Sequence, residues 1–288
     1  MSEPRLPPEI EREIFETTAI SSPRMCYPLL RVARRVCAWI EPMLYRTLMF
    51  HERSTSADLD KLSVAKSREY LARNVRHVIV SATWPGPGTA AEALRLFPGA
   101  THLALGNGHF EDDQQDALQA AFTDLRLHRL VCYANAVFPT RDALMAAAAL
   151  PVFAQLTHLS LFDIGWTEQQ ELFYATLPAL THLAPPHLTS WRTFERLLRP
   201  QACRRLEALV VFSHTDVPQG FADVRLVITI AKPWSFGDSE ETWAEGVFEV
   251  GSFWDVADDF IARKRAGLIP VNNYIAVRDM DSWNFGQQ

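Results

Sequence analysis

The feature that most constrains this chain is a short apolar pattern, L-x-x-L-x-L, that returns in degenerate form through its middle. Marked by its first apolar residue, it stands at Val75, Ala100, Leu127, Leu156, Leu180, Leu206 and Val224, with successive spacings of 25, 27, 29, 24, 26 and 18 residues. The clearest copy is FAQLTHLSLFD at 153–163. Spacings in the twenties suit repeats in which each unit supplies one short strand and one helix. Alternate strand residues face opposite ways, so the leucines of each copy can share one side while a helix packs behind them. Neither element buries its apolar side alone. Stacking the units does, and it leaves the other strand face open.

These units predict an α/β chain: a leucine-rich-repeat-like solenoid with a curved parallel sheet, an N-terminal helical head and a C-terminal helical cap, with binding expected on the concave face. The divisions fall at 1–55 for the head, 56–235 for the repeats and 236–288 for an acidic cap. A hydrophobic fraction of 48% and a charged fraction of 22% describe an ordinary globular chain and disfavour disorder. A net charge of −6 without a long basic stripe argues against a nucleic-acid partner, and nothing in the balance suggests a membrane surface. The residues MSEPRLPPEIER lack the apolar core of a signal peptide. The longest nearly uncharged apolar run, 144–154, is too short to span a bilayer and contains Pro151. Cytoplasm or nucleus is the expected compartment. There, Cys26, Cys37, Cys132 and Cys203, scattered with no C-x-x-C pair, read as free buried thiols.

Residues 6–50 follow another grammar. LPPEIEREIFETTA opens on two prolines and spaces Ile10, Ile14 and Phe15 among acids, as an amphipathic helix does. After Pro23 and Pro28, LLRVARRVCAWIEPMLYRTLMF reads as a second helix. It sets Leu29, Val32, Val36, Trp39 and Ile40 on one side and Arg31, Arg34 and Arg35 on the other, and Pro42 should end or kink it before a last turn carrying Leu44 and Tyr45.

The motifs L-P-P-E-I, I-F at 14–15, L-x-x-V-A-R-R-V-x-x-W at 29–39 and P-M-L-Y-R at 42–46 resemble the F-box. The resemblance is to the F-box-like domains of basidiomycete proteins that join such a head to leucine-rich (ribonuclease-inhibitor-like) repeats, and it covers the repeats and the C-terminal helix more loosely. It implies that the head docks on the Skp adaptor of a cullin ubiquitin ligase while the repeats present a target protein. Carried over, adaptor contact falls on Leu6, Pro7, Pro8, Ile10, Ile14, Val32 and Trp39. The alternative is a head that merely caps the first repeat and keeps its edge strand from pairing with another chain. A cap would bury the apolar face of the head, whereas docking needs it exposed.

Residues 56–73 read as a polar helix before the first repeat strand, 76–81, and residues 84–88 (WPGPG) as a turn. Thr89 with Glu92, and Thr167 with Gln170, fit capping boxes that open unit helices; others are expected at 112–122, 140–150 and 190–198. Pro185 and Pro186 should cut the fifth strand short. Beyond residue 232 the repeat lapses, and 237–260 hold eight acids without Lys or Arg. Residues 252–266 carry the signals of a helix: Ser252 as cap, acids in the first turn, Arg263, Lys264 and Arg265 in the last, and Gly267 beyond. Its apolar side, Phe253, Val256, Ala257 and Phe260, is expected to close the last repeat, with the acids solvated.

If the leucines point inward, the residues between them point into the concavity. One column is then His77, His102, Arg129, His158 and His182. A second is Ile79, Ala104, Val131, Ser160, Ala184 and Val210, and a third, toward the strand ends, is Ser81, Gly106, Tyr133, Phe162 and Phe212. Strands about 4.8 Å apart let neighbours within a column touch. Imidazoles beside a guanidinium suit an anionic or carboxylate group and respond to pH near neutrality. The T-H-L triplet can equally be the repeat's habit, each His bonded to its neighbours or to water. Ligands set one per strand do not converge on a metal, and no cofactor is implied.

Loops leaving the strands gather Asn107, His109, Asn135, Asp163, His187, His214 and Asp216 at one rim near Trp84 and Tyr133, where they could line a small-molecule pocket. No Ser or Cys nucleophile motif, glycine-rich phosphate loop or H-E-x-x-H occurs. Catalysis would rest on His109, His158, Asp163, His214 and Asp216 as acids or bases. The reading leans to a non-enzymatic adaptor that binds a target protein, with a scaffold that binds or transforms a small molecule as the alternative.

Overall fold

In each marker segment the leucine-type residues alternate with a second set, and the two sets lie on opposite faces of one sheet. The computed structural model describes residues 6–50, 56–80, 89–106, 112–133, 137–138, 140–161, 168–186, 189–212, 217, 221–229 and 252–276. Its nine strands are β1 (Thr47–Phe50), β2 (His77–Val80), β3 (His102–Leu105), β4 (Arg129–Cys132), β5 (His158–Leu161), β6 (His182–Ala184), β7 (Ala208–Val211), β8 (Leu226–Thr229) and β9 (Ile275–Ala276). All pair in parallel, and their spatial order is their order in sequence. Pro185 and Pro186 leave β6 three residues long, as expected.

On the back face, Val78, Leu103, Leu130, Leu159, Leu183 and Leu209 are in register and essentially excluded from solvent. They pack with the helices that cross between strands, including α6 (Thr89–Leu96), α7 (Asp112–Thr123), α8 (Arg141–Ala147), α9 (Glu168–Thr176) and α10 (Trp191–Leu197). Phe153 sits between Phe122 and Phe173, at ring-centroid distances of 5.6 and 5.3 Å, so the aromatic packing runs from unit to unit. Turns between units are held by polar staples: the Arg76 guanidinium donates to the carbonyls of Ala72, Val75 and Gly99 at 3.0–3.1 Å. A Cβ on Gly99 would lie 1.9 Å from the Ala72 oxygen, so only glycine permits this approach.

The head comprises α1 (Pro8–Ser21), α2 (Cys26–Leu29) and α3 (Arg34–Leu44) around a core of its own: Ala19, Cys26, Leu29, Val36 and Ile40. It departs from expectation at both ends of the second helix. Ala33 is extended (φ −160°, ψ 158°), so α3 begins at Arg34 and Leu29 belongs to α2. Thr47–Phe50, read in the sequence as the helix's continuation, is β1 and pairs with β2. The head sequence therefore supplies the sheet's first strand. A second joint lies beside it: the Tyr45 ring meets Tyr70 edge to face at 5.5 Å, and Lys66 sits over both rings while pairing with Glu41 at 2.7 Å. The polar helix expected over 56–73 is two helices, α4 (Ser56–Ala65) and α5 (Arg68–Asn74), because Ser67 caps the second by accepting from the Tyr70 amide.

The tail helix α11 (Phe253–Arg265) has the predicted ends: a Ser252–Asp255 capping box and Gly267 at φ +73°. Its position differs from expectation. It lies on the front face of the sheet, the face opposite the other helices, packing Phe253, Trp254, Ala257, Phe260 and Ile261 against Ala184, Ala208, Val210, Phe212 and Val227. Each large apolar side chain so buried contributes about 1.5–3 kcal/mol, which makes α11 part of the folded core. The chain then adds β9 beside β8. All four cysteines are free thiols, and burial pushes Cys203 up to about 11. No helix among the described residues is long and apolar enough to cross a membrane.

Candidate functional site

The first expected column forms as read. His77, His102, Arg129, His158 and His182 occupy aligned positions on β2 to β6. His77 and His102 stand 4.4 Å apart between ring centroids, and His158 stacks on His182 at 4.0 Å with the planes only 8° from parallel. Arg129 separates the two histidine pairs.

The threonine before each histidine explains how the rings are held. Thr101, Thr157 and Thr181 bring Oγ1 to within 2.7–2.9 Å of Nδ1 on the following His. Thr157 and Thr181 also donate their hydroxyl hydrogens to carbonyls of the preceding unit, His128 O at 3.0 Å and Thr157 O at 3.1 Å. With that hydrogen committed, the threonine oxygen accepts and Nδ1 is the donor. His77 is held likewise by Thr47, at 3.0 Å from the neighbouring strand. In His158 this leaves Nε2 as an acceptor. In His182, Nε2 meets the Asp258 carboxylate at 2.8 Å.

Burial is the main reason His77, His102 and His158 resist protonation. It lowers His77 to about 4, with Arg46, Arg129 and Arg76 adding to the effect. His102 falls to about 3, with His77 and Arg129 the next causes, and His158 to about 2, with His182 and Arg129. Arg129 is itself lowered by burial, opposed by Asp255 and Asp258 on α11. Neutral, anchored imidazoles make poor proton shuttles near pH 7, but they give the face a fixed pattern of hydrogen-bonding groups.

The front face is not an open sheet. Ile79, Ala104, Val131, Ser160, Ala184 and Val210, the second column, are at most 1% exposed. His77 and His182 are buried as well. Trp254 of α11 meets His158 and His182 edge to face at 5.2 and 5.8 Å, and Phe253 does the same to Phe212 at 4.9 Å. Over β5 to β8 the surface expected to receive a ligand is thus occupied by the chain's own tail. His102, Arg129 and Tyr133 remain half-buried.

Of the residues named for acid or base chemistry, only His158 lies among the described residues; His109, Asp163, His214 and Asp216 lie outside them, as do Phe162, Trp84 and the other loop residues of the expected rim. No group of three or more metal-ligating side chains occurs among the described residues. Sequence reasoning missed Trp254 and Asp258 as front-face residues. The signal available was an indole inside a helix rich in acids, too large to leave in water. It also missed Ser160, whose buried hydroxyl has no hydrogen-bond partner among the described residues.

On the head, Leu6, Ile10, Ile14 and Val32 are 46, 44, 49 and 58% exposed, and Pro7 and Pro8 are exposed beside them. Trp39 differs: it is half-buried and packs on Phe15 at 6.4 Å, inside the head's own core. No protein-family model matches the chain, and no curated protein matches it.

Proposed function

We propose that this chain is a substrate-recognition adaptor of the F-box kind, with a leucine-rich-repeat-like body closed by its tail. Its head docks on the Skp adaptor of a cullin ubiquitin ligase, and its sheet presents a target protein in the cytoplasm or nucleus. The observation that carries the reading is the apolar row of the head. Ile10 and Ile14 lie one turn apart on α1 with Leu6 just ahead of it, all exposed, and Val32 is also in water, while the head fills its interior with other residues. A head serving only as a cap would turn that row toward the repeats. Arg31 and Arg34, exposed on either side of Val32, suit a partner with acidic residues around an apolar groove.

Target contact falls on the half-buried front-face residues outside the strands that α11 covers, His102, Arg129 and Tyr133. The test is co-purification of the intact chain with a Skp-type adaptor, compared with Ile10→Asp/Ile14→Asp. Both positions are exposed, so the variant should melt as the parent does. Loss of the adaptor only in the variant supports the reading, and absence of adaptor from the intact chain overturns it.

A further inference from the structure

Arg129 stands apart from the other half-buried arginines among the described residues. Arg76 is satisfied by three carbonyls, Arg196 by Glu171 and Arg225 by Asp223. Arg129, on the front face between His102 and His158, is half-buried, yet among the described residues its guanidinium meets no acceptor. Its five N–H donors lie in a fixed plane, partly removed from water, and are open to an acceptor from outside the chain.

The groups around it are already engaged. Thr157 holds Nδ1 of His158, so the ring edge that remains is an acceptor and cannot serve an anion. Asp255 accepts from the Ser252 amide at 3.1 Å, and Asp258 is bonded to His182. Both acids act on Arg129 through space, without contact.

We infer that Arg129 is the anchor for a single carboxylate, presented by an aspartate or glutamate side chain of the target protein. The planar fork of a guanidinium matches a carboxylate through two parallel hydrogen bonds. A dianionic phosphate would meet the repulsion of Asp255 and Asp258 twice over, whereas a monoanion is matched by one arginine in their presence. The assignment rests on the reading that the target docks on the front face. Its test involves neither the head nor the ligase adaptor, so the two can fail separately.

The experiment is an NMR titration of the full chain, following the Arg129 side-chain Nε–H and the β4 amides. The probes are N-acetyl-glutamate amide, its glutamine counterpart and inorganic phosphate. The glutamate probe should saturate with a roughly millimolar Kd, as one ion pair allows, and the other two should bind at least about tenfold more weakly. Arg129→Gln should abolish the response, and Asp255→Asn, which lifts a competing charge, should tighten it about threefold or more. If Arg129→Gln does not fold, Arg129→Lys serves in its place: it retains the charge, loses the fork and should bind the glutamate probe several-fold more weakly. No saturable shift, an unchanged response in the arginine variant, or tighter binding of phosphate or of the glutamine probe would each overturn the assignment.

Discussion

His182 Nε2 and Asp258 Oδ1 meet at 2.8 Å although 76 residues separate them in sequence. The contact ties β6 to the tail helix, and its two ends differ in environment: the His182 side chain is 8% exposed and that of Asp258 is 56%. Solvent therefore screens the pair. Asp258→Ala should lower stability by no more than about 1 kcal/mol, with the loss concentrated in α11. Urea denaturation and hydrogen exchange would check this. Faster exchange of the head amides, with α11 unchanged, would contradict the latch.

Acid should weaken the fold before its carboxylates titrate. His77, His102 and His158 are lowered from 6.5 to about 4, 3 and 2, chiefly by burial. Below pH 6.5 the unfolded chain takes up protons that the folded chain refuses. Their contribution is thus steady above about pH 7 and becomes a growing penalty as the pH falls toward 4. The slope is roughly 1 kcal/mol per pH unit for each ring, less where a ring is half in water. Chemical denaturation at pH 7, 6 and 5 should show it, and His102→Asn should flatten it. Equal stability at pH 7 and 5 would refute the account.

Lys264 should act in the opposite range. The residue is 3% exposed, and its ammonium donates to Leu226 O at 3.0 Å and lies over the rings of Phe260 and Tyr274. Burial lowers it to about 8 from 10.5. Between those values the unfolded chain holds the extra proton, so stability should rise with pH by roughly 2–4 kcal/mol in that window relative to Lys264→Met. Parallel stability profiles for the two proteins from pH 7.5 to 10 would argue against it.

Ser160 offers a gain. Its hydroxyl is fully buried between Val131 and Ala184 in the second column and has no hydrogen-bond partner among the described residues. Ser160→Ala should raise stability by about 1 kcal/mol, read from the shift in denaturation midpoint at unchanged slope. A loss of stability would mean that the hydroxyl is satisfied after all.

How much of this was legible depends on the reach of each signal. The L-x-L alternation sets which side chains share a face, so the alignment of His77 with His102, and of His158 with His182, followed from counting. Pro185 and Ser252 likewise act on their own neighbourhoods, and the short β6 and the start of α11 came out as read. Thr47–Phe50 was misread because four residues following Tyr45 satisfy a helical and a strand period alike. The amphipathic side of 252–266 said that the helix buries a face, but not against what. Only a fold brings Trp254 to His158 across nearly a hundred residues.

The tail helix also sets a length. Thirteen residues of α-helix measure about 20 Å, and four strands side by side occupy roughly 19 Å. From Trp254 against His158 on β5 to Lys264 against Leu226 on β8, the helix works as a ruler laid across four units. Gene duplication could lengthen the array among β2 to β4 without disturbing it. An extra unit inserted under the ruler would pull its two ends off their marks, so variation in size among descendants of this chain is expected to be one-sided.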